Sequence, residues 1–529
     1  MPRLTIDGSE VEVQPGSTIL DAAQKLGIRI PTLCFLDGLS PSTSCMVCMV
    51  KLKKPDRLVP SCGMKAEDGM QVESETAEVH DVRRAALELL LSDHIGDCVA
   101  PCQRICPAHM NIPLMIRQIA AGNVRDAIAT AKEHIALPAV LGRICPAPCE
   151  KGCRRGSHDA PVSICLLKRF AADADLSSPS AFLPPVKPAT GRKVAVVGTG
   201  PAGLSAAYYL LREGIVPTVF DEHEKPGGAL QYAVPENELP RDVVDAEAGV
   251  IRKMGAVFQM NTTIGKDVSL DELRNTFAAV LIAAGEHGEC ALGIPGLDVS
   301  ERGVKVDKST HQTNLPGVFA AGNAVLPGKM AIRSVADGRE AAFSISRYLA
   351  GLPMTVPERP VMSRIDKLLD GEMEVFLAGA SMAKQTAPSG GVTSGFSATE
   401  AREEALRCLH CDCRKADACK LRGYAQEYNA KARLFYFRTP KGDENRKKFE
   451  QYRDGSQVIY EPGKCISCGL CVQITAKARE ALGLTFIGRS FDVRVEVPFK
   501  RPMDEGLKKV AAECVAACPT GALVLKQQI

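Results

Sequence analysis

"KVAVVGTGPAGLSAAYYLLREGIVPTVFDE", residues 193–222, decides the fold of the central part of the chain. An apolar strand runs into a glycine-rich turn, a helix follows, and a second apolar strand ends at Asp221. Such a turn lets the backbone approach a pyrophosphate at the helix N-terminus, and Asp221 is placed to bind a ribose diol. The stretch therefore predicts a doubly wound α/β domain that binds a dinucleotide. The turn residues assigned to this binding are Gly198, Gly200, Ala202 and Gly203.

Length and composition favour several globular domains, because 529 residues with 45% hydrophobic content exceed what one core holds. The 65 Lys and Arg nearly balance the 62 Asp and Glu, so charge gives no reason to expect nucleic acid or an anionic membrane as a partner. No apolar run approaches the roughly 20 residues that span a bilayer. The polar start "MPRLTIDGSE" also lacks a signal peptide. We therefore expect a cytoplasmic protein without a membrane span.

The 21 cysteines indicate bound metal. They cluster at spacings of two and three residues, which is typical of metal ligands, whereas disulfides would be unusual in a reducing compartment. Cys290 lies outside the recognisable groups, and we interpret it as a small buried residue.

The first cysteine group belongs to a domain predicted over residues 1–78. "LTIDGSEVEVQPGSTILDAAQKLGI" predicts a hairpin that turns near Asp7 and Gly8 and a helix capped near Ser17, which is how a β-grasp ferredoxin begins. Zinc is the alternative metal, but Gly and Ser around the ligands suit a cluster whose sulfides need close N–H groups. The pattern resembles the [2Fe-2S] domain that opens the large iron–sulfur subunit of respiratory complex I and of related hydrogenases and formate dehydrogenases. The ligands, spaced C-x10-C-x2-C-x13-C, are Cys34, Cys45, Cys48 and Cys62.

His94 and Cys98 follow an amphipathic helix, "VHDVRRAALELLLSDH". The same family uses an H-x3-C arrangement to start a [4Fe-4S] site with one histidine and three cysteine ligands. A histidine that ends a helix also serves as a cation stabilised by the helix dipole, so both roles stay open for His94.

Residues 98–174 resemble the helical domain of the glutamate synthase small subunit and of dihydropyrimidine dehydrogenase. The phrases "NIP", "LPAVLGRICP", "CEKGC" and "LKRF" carry this resemblance. It implies a helical domain over residues 79–185 with two [4Fe-4S] clusters that exchange ligands between two cysteine groups. One site would take Cys98, Cys102 and Cys153, with His94 as the fourth candidate. The other would take Cys106, Cys145 and Cys149, with Cys165 as the nearest soft ligand where some relatives have glutamine or glutamate.

The central domain, residues 190–350, resembles the FAD domain of the glutamate synthase small subunit. The phrase "KPGGALQYAVPENELPRDVVDAEAGVIRKMG" carries this resemblance, which makes FAD the expected dinucleotide. Asn323 stands where the family usually has an aspartate that binds the ribityl chain, a change that keeps hydrogen bonding and removes a charge. The following helix, "AIRSVADGREAAFSISRYL", would point its N-terminus at the flavin and favour an anionic reduced form. The further residues assigned to FAD are Gly228, Gly285, Gly322 and Asn323.

One domain of that family is missing. In glutamate synthase-like proteins, a complete NADPH domain separates the two halves of the FAD domain. Here "LIAAGEHG" and "GVFAAGNAV" lie close together, because only about 30 residues separate Gly285 from Gly317, whereas a nucleotide domain needs on the order of 100. The sequence thus predicts no pyridine nucleotide domain and a flavin that exchanges electrons with clusters or a partner subunit.

A linker with Pro, Ser and Gly, residues 351–457, contains the densest cysteine group. Four cysteines within twelve residues predict a metal site. The C-x-C step suits tetrahedral zinc, whereas the neighbouring sites favour a [4Fe-4S] cluster, and both stay open. The four cysteines are Cys408, Cys411, Cys413 and Cys419.

The C-terminal segment, residues 458–529, predicts a bacterial ferredoxin-like domain with one [4Fe-4S] cluster. Thr475 occupies the position of the cysteine that would serve a second cluster, so the second cluster is lost and Cys514 is left unligated. The insert "ALGLTFIGRSFDVRVEVPF" resembles a segment of complex I-like and hydrogenase iron–sulfur subunits. The expected ligands are Cys465, Cys468, Cys471 and Cys518.

Together these domains predict an electron-transfer flavo-iron–sulfur subunit of a cytoplasmic, multi-subunit NAD(P)-linked oxidoreductase. No catalytic side chain is assigned. A partner resembling the NADH-binding FMN and iron–sulfur subunit of complex I would handle the pyridine nucleotide, and ferredoxin is a further candidate partner. The resemblance admits flavin-based electron bifurcation, of hydrogenase, formate dehydrogenase or transhydrogenase type. Two alternatives are a self-sufficient NAD(P)H or ferredoxin oxidoreductase resembling the glutamate synthase small subunit, and a scaffold whose cofactors are structural.

We expect the anaerobically purified protein to contain one FAD, one [2Fe-2S] cluster and three [4Fe-4S] clusters, with a fourth [4Fe-4S] cluster or zinc at the linker cysteines. The reason is that each cysteine group has enough ligands for its own site. Analysis of iron, zinc, sulfide and flavin checks the expectation. A preparation with full flavin and only zinc would contradict the redox interpretation of the cysteines.

Overall fold

The computed structural model describes residues 1–286, 296–328, 330–354, 361–435, 446–453, 457–489 and 492–526. The chain forms two compact units, each assembled from separate stretches. Of the five predicted domains, 79–185 and 351–457 are divided between the two units, and each of the others lies within one. In sequence, the second unit is inserted into the first. The first unit comprises Met1–Ala100, Arg359–Gly379 and Cys411–Ile529, and the second comprises Pro101–Glu358 and Ala380–His410.

The first unit has strands near both of its chain ends and short helices between them. Its strands are Arg3–Ile6, Ser9–Glu12, Met49–Leu52, Arg57–Pro60, Gln71–Glu73, Val458–Tyr460, Thr485–Ile487, Arg494–Glu496 and Leu523–Leu525. Its helices are Ile19–Lys25, Ala77–Ser92, Glu372–Leu377, Lys420–Glu427, Leu470–Lys477, Met503–Gly506 and Ala511–Ala517, with 3-10 turns at Pro462–Lys464 and Pro498–Lys500.

The N-terminal sheet has the β-grasp arrangement that the sequence predicted. Its hairpin turns at Asp7 and Gly8, whose φ values of 48° and 83° are those that such a two-residue turn requires. The Asp7 carboxylate accepts hydrogen bonds from the N–H and Oγ of Ser74 at 2.7 and 2.5 Å, which ties the turn to the end of the neighbouring strand. The helix Ile19–Lys25 begins at Thr18, one residue after the predicted cap. The strand order is Ser9–Glu12, Arg3–Ile6, Gln71–Glu73, Met49–Leu52, Arg57–Pro60.

The C-terminal part of the first unit is built on two antiparallel strand pairs. Val458–Tyr460 pairs with Leu523–Leu525, which brings the two ends of this part together. The helices Leu470–Lys477 and Ala511–Ala517 pack against each other, and their apolar faces share one core with the first strand pair. This is the small ferredoxin-like arrangement that the sequence predicted.

The second unit contains a helical part followed by an α/β part. Within the described ranges, none of its helices, nor any in the first unit, is long and apolar enough to cross a bilayer. The helices are Pro101–Ile105, Ile112–Ala120, Val124–Lys132, Pro138–Ile144, Pro148–Lys151, Ile164–Leu176, Pro201–Arg212, Ala229–Tyr232, Arg241–Lys253, Leu270–Thr276, Ala331–Leu349 and Ala398–Ala405, with 3-10 turns at Arg154–Ser157 and Gly322–Ala324. The strands are Lys193–Val197, Val216–Phe220, Val257–Gln259, Ala279–Ile282, Val299–Ser300, Gly303–Val304 and Val318–Ala320.

Capping of helix N-termini explains two of the sequence phrases that carry the resemblance of the helical domain. In "NIP", the Asn111 side chain accepts a hydrogen bond from the N–H of Leu114 and so caps the helix Ile112–Ala120. In "LPAVLGRICP", the helix N-terminus receives the buried Glu247 carboxylate, which accepts from the N–H groups of Ala139 and Val140 at 2.8 and 3.0 Å. Burial raises the pKa of Glu247 to about 7, although these two hydrogen bonds oppose the shift. A carboxyl group from the α/β part thus holds the helical part in place.

The sheet of the second unit confirms the predicted doubly wound domain. Every neighbouring strand pair in it is parallel. The strand Ala279–Ile282 is buried throughout, which explains why it appears in the sequence as a continuous apolar run. The chain extends to one side of Lys193–Val197 and then returns to the other, and ligands of such folds bind at that point of reversal. The strand order is Val318–Ala320, Ala279–Ile282, Lys193–Val197, Val216–Phe220, Val257–Gln259.

Small residues allow the helices Pro201–Arg212 and Ala331–Leu349 to approach closely. A Cβ on Gly338 would lie 2.1 Å from the carbonyl oxygen of Ala202. Ser205 Oγ, on the first helix, donates to the carbonyl of Val335 at 2.6 Å. The two backbones are therefore in contact, which leaves no space for a side chain at Gly338.

Gly338→Ala should therefore lower the stability of the protein by about 1–3 kcal/mol, because the new methyl group forces the two helices apart. Gly249 is the matched control, since it lies within the helix Arg241–Lys253 and a Cβ there would meet no atom within 4 Å. Gly249→Ala should raise stability by up to about 1 kcal/mol through helix propensity. Calorimetric transition temperatures compare the two variants, and an equal response in both would show that the helices separate freely.

Candidate metal centres and dinucleotide site

The N-terminal cysteines converge within the β-grasp part. All four are buried, and the thiol of Cys34 exchanges hydrogen bonds with those of Cys45 and Cys62. The Sγ atoms of Cys48 and Cys62 are 3.4 Å apart. Four thiols that face one another away from water are the donor set that a [2Fe-2S] cluster uses.

The C-terminal cysteines line one cavity, whose walls include Ile466, Leu470 and Val495. The four thiols at this cavity are those expected from the spacing: Cys465, Cys468, Cys471 and Cys518. The donor set fits one [4Fe-4S] cluster.

Thr475 and Cys514 have structural roles beside this cavity. Thr475 Oγ1 donates to the carbonyl of Val472 at 2.9 Å and accepts from the N–H of Leu484 at 3.1 Å. The fully buried Cys514 directs its Sγ towards the carbonyl oxygen of Cys471, 3.8 Å away, and does not line the cavity. Burial raises the pKa of the Cys514 thiol to about 12.

His94 and Cys98 lie beside Cys413 and Cys419 in the first unit. The N–H of Cys413 donates to the carbonyl of Cys98 at 3.4 Å. Burial raises the pKa of Cys419 to about 11, and the thiols of Cys413 and Cys98 contribute to the same shift. Ser363 joins the group, since its Oγ donates to the His94 carbonyl at 2.9 Å and its own carbonyl accepts from the N–H of Cys98 at 3.1 Å. The predicted site, which joined His94 and Cys98 to Cys102 and Cys153, stays a prediction beside this arrangement.

The His94 imidazole has an unsatisfied buried atom. Its Nδ1 is enclosed and has no hydrogen-bond partner. Burial and the nearby Lys464 lower the pKa of His94 to about 4, so the ring is neutral at physiological pH. A neutral imidazole with an unsatisfied buried nitrogen suits the predicted role of His94 as a ligand.

In the second unit, Cys165 lies with the predicted second group. Its thiol exchanges hydrogen bonds with those of Cys145 and Cys149. The residue Ala147, between those two cysteines, has the left-handed φ of 50°, which turns the chain so that both thiols face the same side. Cys106 is also buried here, at the end of the helix that begins at Pro101. The four thiols fit the predicted cluster, with Cys165 in the fourth position.

The remaining predicted ligands are distributed over both units. Cys102, one helical turn before Cys106, and Cys153 belong to the second unit, as does Cys408. Cys411 belongs to the first unit together with Cys413 and Cys419. The chain leaves the second unit at His410, between Cys408 and Cys411, and the linker site of four cysteines stays a prediction. Cys290 lies outside the described residues.

Iron–sulfur clusters need a different donor geometry from single ions. Among the described residues, no group of three or more His, Cys, Asp or Glu side chains has the geometry that holds one metal ion. In a [4Fe-4S] cluster each ligand binds a different iron, and in a [2Fe-2S] cluster each iron takes two ligands, so the sulfurs stand around the cluster instead of converging on a single ion. The fit of each group therefore rests on the chemistry of its donors and on their shielding from water.

The predicted dinucleotide residues meet at the carboxyl ends of the parallel strands. Gly198 has a φ of 103°, and a Cβ there would lie 2.4 Å from the carbonyl oxygen of Ala283. A Cβ on Gly200 would meet no atom within 4 Å, so this side of the turn is open to a bound group. The helix Pro201–Arg212 starts at Gly200, and its first N–H groups are free to bind a pyrophosphate. Gly228 closes the other side, since a Cβ there would lie 3.0 Å from the Cα of Gly200.

Asp221 holds the glycine turn, a role that the sequence did not predict. Its Oδ2 accepts from the N–H and Oγ1 of Thr199 at 2.8 and 2.5 Å. Its Oδ1 accepts from the N–H of His223 at 3.0 Å and lies 2.7 Å from Nδ1 of the same residue. The ribose contact of Asp221 stays a prediction beside this structural role.

The second half of the site explains the asparagine at position 323. Asn323 Nδ2 donates to Glu286 Oε1 at 2.6 Å, and Asn323 Oδ1 accepts from Ser334 Oγ at 3.3 Å. An aspartate here would place two carboxylates within hydrogen-bonding distance, so the amide removes a like-charge repulsion. Gly322 beside it meets the glycine-motif helix, because a Cβ on Gly322 would lie 2.7 Å from that of Ala202.

Between Gly285 and Gly317 the structure contains a short antiparallel hairpin. Its strands are Val299–Ser300 and Gly303–Val304. Residues 287–295 lie outside the described part. In the described remainder of this segment there is no parallel sheet, and the lack of an inserted nucleotide domain stays a prediction.

Cys518→Ser should remove the low-temperature EPR signal of the C-terminal cluster, because Cys518 lines the cavity with the other three thiols. Cys514→Ser should leave that signal in place, because the Cys514 thiol faces a carbonyl group outside the cavity. EPR spectra of the two reduced variants distinguish these outcomes. Equal loss of the signal in both would show that Cys514 is needed for the cluster.

Three family models match separate segments of the chain. Residues 2–77 match a 2Fe-2S iron–sulfur cluster binding domain. Residues 91–179 match dihydropyrimidine dehydrogenase domain II with its 4Fe-4S cluster, and residues 196–261 match an NAD(P)-binding Rossmann-like domain. These matches confirm the predicted fold classes and their order along the chain.

Three curated relatives each match about two fifths of the chain. The NADP(+)-dependent formate dehydrogenase subunit beta of Moorella thermoacetica is 39% identical over 220 residues, which are 38% of this chain and 31% of that protein. The NADPH-Fe(3+) oxidoreductase subunit beta of Geobacter sulfurreducens is 39% identical over 213 residues, 40% of this chain and 31% of that protein. The NAD-dependent dihydropyrimidine dehydrogenase subunit PreT of Escherichia coli O157:H7 is 37% identical over 210 residues, 39% of this chain and 50% of that protein.

The chain thus spans between 31% and 50% of the length of these relatives. All three are subunits of NAD(P)-dependent oxidoreductases by name. The chain thus has segments that match 2Fe-2S, 4Fe-4S and Rossmann-like family models, and part of it is similar to subunits of such oxidoreductases.

Proposed function

We propose that the chain is an electron-transfer subunit of a multi-subunit NAD(P)-linked oxidoreductase, with iron–sulfur clusters in both units and FAD in the second. The observation that carries the proposal is the proximity of three candidate cluster sites within the first unit. A scaffold with a purely structural role would have no need of several groups of buried thiols next to one another.

The N-terminal and C-terminal sites share one apolar core. Cys34 and Cys45 of the first site and Cys468 of the second belong to the same cluster of buried residues, with Leu33 and Leu470 among them. Burial raises the pKa of Cys468 to about 12, and the charge of Cys34 contributes to this shift. An electron therefore has a short, water-free route between the two sites.

The group of His94, Cys98, Cys413 and Cys419 adjoins the C-terminal site on its other side. Cys419 Sγ lies 3.8 Å from the carbonyl oxygen of Pro519, the residue after the ligand Cys518. Lys415 Nζ donates to the carbonyl of Cys518 at 2.7 Å, which ties the two segments together. We propose these four residues as the ligands of a further [4Fe-4S] cluster, so that the first unit holds a row of three.

The dinucleotide site supports FAD. The glycine turn offers N–H groups to a pyrophosphate, and the Asn323 and Ser334 side chains occupy the region that holds the ribityl chain in the resembling family. A bound flavin would exchange one or two electrons, which lets it connect a two-electron donor to one-electron clusters. The chain's own residues position and enclose the cofactor, and Glu286 holds the Asn323 amide in place.

The pyridine nucleotide would bind to another subunit. The segment between Gly285 and Gly317 is too short for a nucleotide domain, and the described part of it forms only a hairpin. A partner resembling the NADH-binding FMN and iron–sulfur subunit of complex I would supply electrons at the N-terminal [2Fe-2S] domain. Ferredoxin as a further partner, electron bifurcation and a cytoplasmic location belong to the same proposal.

A second candidate is a self-sufficient NAD(P)H oxidoreductase. It is favoured by one observation, the match of residues 196–261 to an NAD(P)-binding Rossmann-like domain. In that case the glycine turn would bind the nicotinamide cofactor itself.

The isolated chain should reduce its flavin slowly with NADH or NADPH and rapidly once the nucleotide-binding partner is added. Hydride transfer needs the nicotinamide held against the flavin, and that placement normally comes from a dedicated nucleotide fold. Stopped-flow absorbance of the flavin band measures both rates. Rapid reduction of the isolated chain by either nucleotide would refute the partner proposal and favour the self-sufficient enzyme.

Two thiol variants sharpen this test. Cys45→Ser should slow partner-driven flavin reduction, because it removes a ligand of the cluster at which electrons enter. Cys514→Ser is the matched control, since it alters a buried thiol outside every proposed ligand set.

A further inference from the structure

Lys168 is a buried cation inside the helical part of the second unit. It is 4% exposed and lies on the helix Ile164–Leu176, one turn after Cys165. Its Nζ donates to Cys165 Sγ at 3.8 Å. The thiols of Cys145, Cys149 and Cys106 also act electrostatically on the ammonium group.

Carboxylates do not neutralise this cation directly. Among the described residues, no carboxylate oxygen lies within 4 Å of Lys168 Nζ, whereas the equally buried Lys132 pairs with Asp175 at 2.6 Å. Glu150 acts on Lys168 from further away, and its Oε1 is taken by the N–H of Cys165 at 2.8 Å.

An unpaired ammonium in a protein interior is strongly unfavourable. A protein keeps such a group charged only where negative charge is close by. The four thiols at this site supply that charge once they are deprotonated and bound to iron. The thiol group therefore accounts for the presence of a buried cation.

We propose that Lys168 is the resident counter-cation of the cluster bound by Cys106, Cys145, Cys149 and Cys165, and that its fixed positive charge raises the reduction potential of that cluster. The inference rests on the ligand set and electron-transfer role proposed above. Lys168 is a positioning residue in this scheme, because it acts on the cluster through the field and not as a ligand.

The physical reason is the charge change on reduction. A cluster that takes up one electron gains one negative charge, and a nearby cation stabilises the reduced form more than the oxidised form. At this distance in a protein interior, the interaction between two unit charges is large enough to change an equilibrium constant by about tenfold or more. The chain would thereby make this cluster a preferred electron acceptor within the second unit.

The test is an EPR-monitored redox titration of the full chain with dithionite and mediators. The signal is first assigned by its loss in Cys149→Ser. Lys168→Met removes the charge and keeps an apolar side chain of similar length. At a fixed potential we expect the ratio of reduced to oxidised cluster to fall about tenfold in this variant, which is a shift of about 59 mV to lower potential for a one-electron couple.

Two controls separate charge from shape and from distance. Lys168→Arg keeps the positive charge and should keep the potential near that of the unaltered protein. Lys151→Met removes an exposed charge from the helix Pro148–Lys151, close in sequence to Cys149, and should shift the potential little because water screens it.

Each outcome decides the matter. A lowered potential in Lys168→Met, or loss of the cluster's iron in Lys168→Met with retention in Lys168→Arg, supports the proposal. An unchanged potential in Lys168→Met, or cluster loss in both lysine variants, overturns it while the ligand set stands. If the unaltered chain shows no cluster signal that depends on Cys149, the ligand set itself is wrong and the role of Lys168 is wrong with it.

Discussion

Exclusion of water from thiols that belong to distant parts of the chain is the constraint on which this structure depends. A cluster ligand must be held beside its partners and away from solvent, and no single helix or hairpin does this alone. In the first unit, a backbone hydrogen bond from Cys413 to Cys98 joins segments that are some 300 residues apart in sequence. Ser363 bridges His94 and Cys98 in the same place. The β-grasp sheet and the ferredoxin-like strands then supply the apolar walls.

In the second unit, the dinucleotide site depends on small residues that allow close packing of the backbone. Gly198 and Gly338 exist as glycines because carbonyl oxygens occupy the space that a Cβ would need. This crowding brings the two halves of the dinucleotide site together without an intervening domain. Buried charged groups in the same unit each have a specific partner. Glu247 accepts hydrogen bonds at the start of a helix, and Lys168 donates to the thiol of Cys165.

Sequence reasoning succeeded where a pattern is local. The turn at Asp7 and Gly8 and the strand–turn–helix around Gly198 depend on residues close in the chain, and both were predicted. The proximity of Cys413 to Cys98 was not predicted, because the two residues are distant in sequence and no local pattern connects them. The sequence also did not reveal why position 323 is an asparagine. The carboxylate that disfavours an aspartate there belongs to Glu286, which is distant in sequence.

The insertion of the second unit between Ala100 and Cys411 has a consequence for biosynthesis. His94 and Cys98 leave the ribosome well before Cys413 and Cys419 exist, and at 5–20 residues per second the interval is roughly 15 to 60 s. During that time the second unit has the chance to fold as a whole, while the half-made thiol site stays open to oxygen. Maturation of the proposed centre therefore has to wait until the segment with Cys413 and Cys419 has been synthesised.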